Sequence, residues 1–254
     1  MENKRKNKRK NKKSNKQSNK QSNKQSNKQS NKQSNKYLLN MSEDLYTKYF
    51  PQNKSIDYKK LKMSNVSLYS MDLPSYIETI ANLIKSYFHK NKKITITDGT
   101  AHVGGASINF AKYFDKVNSV ELDNFHCELL KNNVSTYELN DKITIFCNDY
   151  LKIIKELKQD VIFFDPPWGG KNYKNNLLMD LYMSNVNLIE IINNFITYNK
   201  NKKKNRTSLI IFKIPKNYNV NKFLANIKHD KITLLKITKK NSNYTSYNII
   251  ILEL

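Results

Sequence analysis

From residue 94 to the end of the chain, short apolar runs alternate with segments of helical periodicity, and this alternation constrains the fold more than any other feature. Short apolar runs between helices are typical of parallel strands that are buried on both faces. The pattern predicts an α/β protein with a doubly wound, mostly parallel sheet. The last two runs follow each other without a helix between them, which predicts an antiparallel hairpin at one edge. The predicted strands are 94–98, 117–121, 143–146, 161–165, 209–214, 232–237 and 248–252.

An amphipathic helix is predicted over 74–88, where apolar side chains recur at helical spacing on one face. The preceding segment, 37–70, is polar and rich in aromatic residues. We therefore expect a small helical extension over 37–90 and a sheet domain over 91–254. Further helices are predicted near 106, over 125–137, between 146 and 161, near 184–198 and near 220–228.

Residues 1–36 carry much of the positive charge. They hold 14 Lys/Arg and one Glu, a net charge of +13, so +11 of the chain's +24 lies in the remaining residues. From Ser14 the tetrad Ser-Asn-Lys-Gln repeats without an apolar residue, and we expect this tail to be disordered. The charge favours an acidic partner, above all nucleic acid. Two interpretations of the tail stay open: a polycationic arm that strengthens RNA binding, and a dispensable low-complexity extension. An AT-biased genome explains part of the richness in Lys and Asn.

Composition disfavours several classes of protein. The N-terminus lacks an apolar secretory signal and no apolar run is long enough to span a bilayer, so we expect an intracellular protein, cytoplasmic or nuclear, without a membrane partner. The two cysteines, Cys127 and Cys147, do not make a disulfide framework or a zinc site, and we expect buried thiols. No cluster of metal-ligating residues is present, so no metal is expected. A short chain with little beyond one domain suggests few partner domains, and we expect a monomer.

The loop after the first predicted strand, Asp98-Gly99-Thr100-Ala101-His102-Val103-Gly104-Gly105, predicts a cofactor site. In such sheets ligands bind at the carboxyl ends of the strands, and glycines allow the backbone to approach them closely. The spacing differs from the Gly-x-Gly-x-x-Gly of dinucleotide folds, which weakens the case for a nicotinamide cofactor. An acid at the strand end suits a cofactor that carries an amino-acid group, as S-adenosylmethionine does.

Acidic residues also follow the next three strands. Glu121 ends the second strand about 20 residues after the glycine loop, the position from which an acid binds ribose hydroxyls. Asp149 follows the third strand and can accept a hydrogen bond from an adenine amino group, and Asp165 ends the fourth and faces the methyl acceptor. Each acid alone has a helix N-cap as its alternative, but four in succession favour S-adenosylmethionine.

The motif Asp165-Pro166-Pro167-Trp168-Gly169-Gly170 suits methyl transfer to an exocyclic amine. Such an amine is a weak nucleophile, so the site must hold a flat base and orient its –NH2 group. Asp165 and the Pro166 carbonyl can accept hydrogen bonds from the amine, while the prolines keep the backbone extended and remove N–H donors. Trp168 offers an aromatic face to the base. The alternative is a strand that ends in a proline turn, with the tryptophan in the core.

Together these motifs resemble the trimethylguanosine synthase family, the RNA cap guanine-N2 methyltransferases, over roughly residues 45–254. The family's Asp-x-x-Cys-Gly-Val-Gly-Gly loop is similar to the loop that begins at Asp98, and its Cys-Gly-Asp-Phe is similar to 147–150. Its Pro-Pro-Trp-Gly-Gly-x-x-Tyr matches 166–173. The resemblance implies a class I methyltransferase with a Rossmann-like, seven-stranded sheet and an antiparallel edge strand. It further implies S-adenosylmethionine as cofactor and 7-methylguanosine-capped RNA as partner.

The motifs and the resemblance assign residues to three roles. The expected cofactor-binding residues are Asp98, Thr100, Ala101, Gly104, Glu121, Asp123, Asp149 and Asp165. The expected catalytic residues are Asp165, Pro166 and Trp168. The expected substrate-binding residues are Trp168, Tyr173, Lys48, Phe50 and Lys216, with solvated surface charge as the alternative for the two lysines. The chain departs from the family at His102, usually a glycine, and at Asp165, a serine in many members.

Three functions remain open at this point. The first is transfer of one or two methyl groups to N2 of the 7-methylguanosine cap. The second is adenine-N6 or internal guanine-N2 methylation of RNA or DNA, because aspartate before Pro-Pro is usual in adenine-N6 methyltransferases. The third is a basic RNA-binding protein with a vestigial pocket, which the tail and His102 suggest and the complete set of strand-end acids disfavours.

Overall fold

The computed structural model describes residues 38–39, 42–204, 206–238 and 245–254. The chain divides into two compact units, Met1–Asn40 and Met41–Leu254. The described part of the first unit is a short strand, and the remaining elements belong to the second unit. The expectations for the basic tail over 1–36 lie outside the described residues.

A seven-stranded sheet forms the centre of the second unit. The strands of the described residues, in chain order, are β1 (Leu38–Leu39), β2 (Met63–Ser64), β3 (Thr95–Asp98), β4 (Lys116–Glu121), β5 (Ile143–Cys147), β6 (Val161–Phe164), β7 (Tyr182–Met183), β8 (Val186–Asn187), β9 (Leu209–Ile214), β10 (Ile232–Thr238) and β11 (Thr245–Glu253). The sheet has the order β10-β11-β9-β6-β3-β4-β5, in which β5, β4, β3, β6 and β9 run parallel. The predicted α/β fold is confirmed.

The last two strands form the predicted hairpin at one edge of the sheet. β11 pairs antiparallel with both β9 and β10, so it is the reversed strand, and β10 covers it on the outside. The antiparallel strand therefore lies one place in from the edge. β7 and β8 form a separate two-stranded hairpin.

Helices cover both faces of the sheet. In chain order they are α1 (Glu43–Tyr49), α2 (Ser67–Ser70), α3 (Pro74–Ser86), α4 (Gly105–Phe110), α5 (Asn124–Thr136), α6 (Tyr150–Ile153), α7 (Leu188–Asn201) and α8 (Val220–Asn226). The helix predicted from about residue 184 begins at Leu188 instead. Ser184 and Asn185 adopt positive φ angles in the β7–β8 turn, and the Asn187 side chain caps α7 by accepting from the Ile189 N–H at 2.9 Å.

Alternate residues of β6 enter two separate cores. Val161 and Phe163 pack with the buried face of α3, whereas Ile162 and Phe164 pack with α7. This two-residue alternation buries β6 on both faces, as expected for a central parallel strand, and it places Asp165 just beyond the carboxyl end of the strand.

The two cysteines form a disulfide, so the expectation of two buried thiols is wrong. Cys127 lies in α5 and Cys147 ends β5, with their Cα atoms 5.7 Å apart. α5 precedes β5 and packs against it, which brings together residues separated by 20 positions in the sequence. Cys127 is buried and Cys147 is exposed. Their spacing alone gave no sign of this pairing, because it depends on how the helix returns to the sheet.

Two further observations concern the described residues only. Within those ranges, none of the helices is both long and apolar enough to cross a membrane. The same ranges contain no group of three or more His, Cys, Asp or Glu side chains that is placed to hold a metal ion.

Candidate active site

The loop between β3 and α4 is organised around Asp98. Its side chain is 1% exposed; Oδ2 accepts from the Ser107 hydroxyl at 2.7 Å and Oδ1 from the Thr100 N–H at 3.3 Å. Burial raises the pKa of Asp98 to about 6, although the Ser107 hydroxyl acts to lower it. Gly104, with a φ of +94°, leads into α4 in the left-handed conformation that glycine adopts without strain. Asp98 is thus a buried acceptor at the carboxyl end of β3, the neighbour of the central strand β6.

Glu121 closes this loop from the neighbouring strand. Its Oε2 accepts from the His102 N–H at 2.7 Å, and its Oε1 accepts from the Asp123 N–H at 2.8 Å. Burial raises the pKa of Glu121 to about 7, despite these two backbone donors. Ala101 holds the other side of the loop, where its N–H donates to the Val120 carbonyl at 2.9 Å.

Two of the predicted cofactor acids cap helices. Asp123 Oδ1 accepts from the His126 N–H at 2.9 Å at the start of α5, and Asp149 Oδ1 accepts from the Leu151 N–H at 3.0 Å at the start of α6. The capping alternative therefore holds for both residues. It does not exclude ligand binding, because each carboxylate has a second oxygen and further lone pairs.

The acceptor motif is joined directly to the cofactor loop. The Asp165 N–H donates to the Thr100 hydroxyl at 2.9 Å, so the residues after β3 and β6 share one edge of the sheet. A cavity of about 500 Å³ opens beside the motif. It is lined by Val66, Tyr69, Ser70, Asp165, Pro166, Pro167, Trp168, Gly170, Tyr173, Lys174 and Lys213.

Trp168 and Tyr173 form an aromatic corner of this cavity. Their rings meet edge to face, with centroids 5.2 Å apart and an interplanar angle of 71°. Gly169 and Gly170 have φ angles of +86° and +80° and lie in open space, so they turn the chain between the two aromatic residues. Asn217 holds the far side of this turn, because its Nδ2 donates to the Tyr173 carbonyl at 2.9 Å.

Lys213 is a site residue that sequence reasoning missed. It lies in β9, is 5% exposed, and its Nζ contacts Asp165 Oδ2 at 2.7 Å and Asp72 Oδ2 at 2.9 Å. Burial raises the pKa of Asp165 to about 7, while the Lys213 ammonium acts to lower it. Burial alone would lower the pKa of Lys213, but the two carboxylates outweigh it and the pKa is raised. A single lysine in the apolar run 209–214 was the available signal.

Three of the predicted substrate residues lie apart from the cavity. Phe50 is completely buried and packs on Tyr137 with ring centroids 6.3 Å apart, so its expected substrate contact is corrected to a role in the core. Lys48 is exposed on α1, and its Nζ lies 5.4 Å from the Tyr49 ring centroid. Lys216 is exposed after β9 and does not line the cavity.

Comparison with known proteins identifies the family of this chain. The model of a family described as RNA cap guanine-N2 methyltransferase matches residues 93–252, which is more than half of the chain. The chain belongs to this family. An uncharacterized protein of Acanthamoeba polyphaga mimivirus, L320, is 33% identical over 204 residues, covering 78% of this chain and 76% of that protein.

A second relative of this chain is the trimethylguanosine synthase of Saccharomyces cerevisiae. It is 24% identical over 173 residues, which covers 65% of this chain and 52% of the yeast protein. The chain thus spans about half the length of that enzyme. Among solved structures, a human methyltransferase 10 domain containing protein has a TM-score of 0.51 and 15% identity, covering 83% of this chain and 93% of that chain. At this identity the likeness shows the fold alone.

The chain is therefore an S-adenosylmethionine-dependent methyltransferase with a class I fold, which confirms the cofactor predicted from the strand-end acids and the fold implied by the family resemblance. S-adenosylmethionine supplies an electrophilic methyl group on a sulfonium. The acceptor groups at the strand ends fit this cofactor, whose ammonium, hydroxyl and amino groups are hydrogen-bond donors. Asp98 and Glu121 place carboxylate oxygens there, and these oxygens keep spare lone pairs. The roles of the individual residues toward the cofactor stay predictions.

Proposed function

We propose that this protein transfers methyl groups from S-adenosylmethionine to the exocyclic N2 of 7-methylguanosine in the 5′ cap of RNA. One observation carries the proposal: Trp168 and Asp165 line the same cavity, and Asp165 is hydrogen-bonded to the cofactor loop through Thr100. A base stacked on Trp168 would place its edge against Asp165, beside the cofactor loop. The family match supports the acceptor, since cap guanine-N2 is the family's described target.

Catalysis in this proposal is mainly positioning. The Asp165 carboxylate and the Pro166 carbonyl orient the amine toward the methyl group, so that no prior deprotonation is needed. Both residues line the cavity, and Pro166 is buried. Holding the amine in line with the methyl group and excluding water supply the rate enhancement.

Trp168 provides the preference for a base already methylated at N7. The 7-methylguanine ring is cationic, and a cation on an indole face gains about 0.5–2 kcal/mol. Lys213 also lies near this indole, with Nζ 4.7 Å from the ring centroid, but it is paired with Asp72 and Asp165. When both carboxyls are ionised the three groups carry a net charge of −1, which favours a cationic base.

The N-terminal extension completes the acceptor pocket in this proposal. Val66, Tyr69 and Ser70, from α2 and the residue before it, line the same cavity as the motif. Lys174 and Tyr173 line the cavity, and their proposed partners are the cap phosphates. Lys48 and Lys216 lie outside the cavity, and their proposed contacts are with RNA beyond the cap base.

The decisive experiment is mass spectrometry of cap nucleosides. Capped RNA with and without the N7 methyl group is incubated with the protein and labelled S-adenosylmethionine. We expect N2 methylation of the N7-methylated cap alone, and the product mass shows whether one or two methyl groups are added. Equal labelling of both RNAs overturns the cap assignment, and calorimetry that shows no S-adenosylmethionine binding favours a non-catalytic RNA-binding protein.

Asp165 favours one second candidate, an adenine-N6 or internal guanine-N2 methyltransferase acting on RNA or DNA. At position 165 this chain has aspartate, where many members of the trimethylguanosine synthase family have serine. Its carboxylate accepts a hydrogen bond equally well from an adenine amine. On a duplex this activity requires the base to be flipped into the pocket. Label recovered in N6-methyladenosine, or in N2-methylguanosine from within the RNA, identifies it.

A further inference from the structure

Lys213 connects three parts of the acceptor site through one ammonium group. It bonds Asp165 at 2.7 Å and Asp72 at 2.9 Å, and it lies over the ring of Trp168. A lysine this deeply buried is rare unless opposite charges pair with it. We propose, building on the proposed function, that Lys213 is a positioning residue that keeps Asp165 ionised and presents one of its oxygens to the acceptor amine.

The hydrogen bonds of Asp165 leave one oxygen for the substrate. The Lys213 ammonium donates to Asp165 Oδ2, and the Asp165 N–H donates to the Thr100 hydroxyl. No residue in the described part of the chain donates to Oδ1. Since Asp165 lines the cavity, Oδ1 is the oxygen that meets the amine, and Lys213 sets its direction by holding the other.

The groups around Asp165 act on its ionisation in opposite directions. The Lys213 ammonium favours the carboxylate, whereas the charges of Asp72, ahead of α3, and Asp98, at the end of β3, disfavour it. Tyr247 of β11 also faces this cluster, with its ring centroid 5.1 Å from Lys213 Nζ.

Trp168 reports on this cluster without substrate, because it is the only tryptophan in the chain. Its fluorescence is followed against pH in the unliganded full-length protein. We expect a transition near pH 7 from Asp165, which Asp165→Asn removes. Lys213→Met moves the midpoint up by about 1 pH unit or more, and Asp72→Asn moves it down. Lys131→Met leaves it unchanged, because Lys131 is exposed and paired with Glu128.

Transfer activity gives the second readout. At neutral pH, an upward shift of one unit in Lys213→Met costs about fivefold in kcat/KM and a shift of two units about fiftyfold, and the loss recovers as the pH is raised. Lys213→Arg keeps the charge and restores the profile. The proposal is overturned if the midpoint of the fluorescence transition stays fixed in both Lys213→Met and Asp72→Asn, or if the two variants move it in the same direction.

Two features keep the test decisive. If Lys213→Met does not fold, Lys213→Gln decides instead: a midpoint that moves up supports the proposal, and an unchanged or lower one overturns it. The titration needs neither RNA nor cofactor, so a failure of the proposed function, seen in the cap nucleosides made by the unmodified protein, is distinguishable from a failure of the role of Lys213.

Discussion

The backbone N–H of His102 donates to Oε2 of Glu121 across 2.7 Å, and this bond joins the loop after β3 to the end of β4. His102 has a φ of +50°, in the left-handed region that histidine tolerates better than most residues. Its ring packs on His126 with centroids 4.2 Å apart. Any residue except proline could donate this backbone hydrogen bond, so the ring contact with His126 is what the histidine side chain adds at a position where the trimethylguanosine synthase family usually has glycine.

Glu121→Gln should change how stability depends on pH. Burial raises the pKa of Glu121 from 4.5 to about 7, so the folded protein holds this proton more tightly than the unfolded chain. The resulting stabilisation is complete below about pH 4.5 and is lost as the pH rises through about 7. We expect the stability of Glu121→Gln relative to the unmodified protein to rise by about 2 kcal/mol between about pH 5 and pH 8, after allowance for partial exposure.

Urea unfolding at the two pH values measures this difference. The amide loses one acceptor oxygen, which lowers stability equally at both pH values and so cancels from the comparison. Glu128→Gln is the matched control, because Glu128 is exposed and pairs only with Lys131 among the described residues. A stability difference for Glu121→Gln that does not vary with pH contradicts the prediction.

Trp168→Ala should abolish most transfer, and Trp168→Phe should separate stacking from charge recognition. The smaller phenyl ring keeps a flat face but attracts cations less than indole does. We expect Trp168→Phe to lose part of an N7-methyl preference whose cation–π component is about 2- to 30-fold. The ratio of kcat/KM for dinucleotide caps with and without the N7 methyl group measures it. Tyr182→Ala, an exposed aromatic outside the cavity, should leave that ratio unchanged.

The sheet and its site edge were predictable because they depend on local patterns. Strand 209–214 was found to the residue, since a buried parallel strand is a nearly continuous apolar run, here interrupted only by Lys213. The acids were found because each ends such a run, and parallel strands deliver their carboxyl ends to one edge. The Thr100–Asp165 hydrogen bond follows from that arrangement.

The features that were missed depend on contacts between distant segments. Asp72 lies just before α3, and nothing in the local sequence distinguishes it from other polar residues of the segment. Only the packing of α3 against the sheet brings it to Lys213. Phe50 sits in an aromatic and basic stretch that suggests a ligand contact, but the core takes its ring because burying it gains about 2 kcal/mol. The pairing of Cys127 with Cys147 is likewise a consequence of helix packing.

Removal of residues 1–36 should weaken RNA binding without affecting methyl transfer to a dinucleotide cap. This segment carries a net charge of +13, and each phosphate it neutralises adds about 0.7 to the slope of log affinity against log salt for single strands. Anisotropy titrations of a capped oligonucleotide over a salt series measure that slope. A tail of equal length with its lysines and arginines changed to glutamine is the control for length. An unchanged slope after truncation shows that the tail is dispensable for binding.

Reduction of the Cys127–Cys147 disulfide should lower the free energy of unfolding by about 3 kcal/mol. The bond closes a loop across 20 positions, and opening it returns that loop's entropy to the unfolded chain. Protein purified without reductant and then denatured should show no free thiols, and two after reduction. Urea unfolding with and without dithiothreitol measures the change, and the double variant Cys127→Ser/Cys147→Ser should be insensitive to the reductant. Two free thiols in the denatured, unreduced protein show that the bond had not formed, and an equal stability in both conditions contradicts the predicted size of its effect.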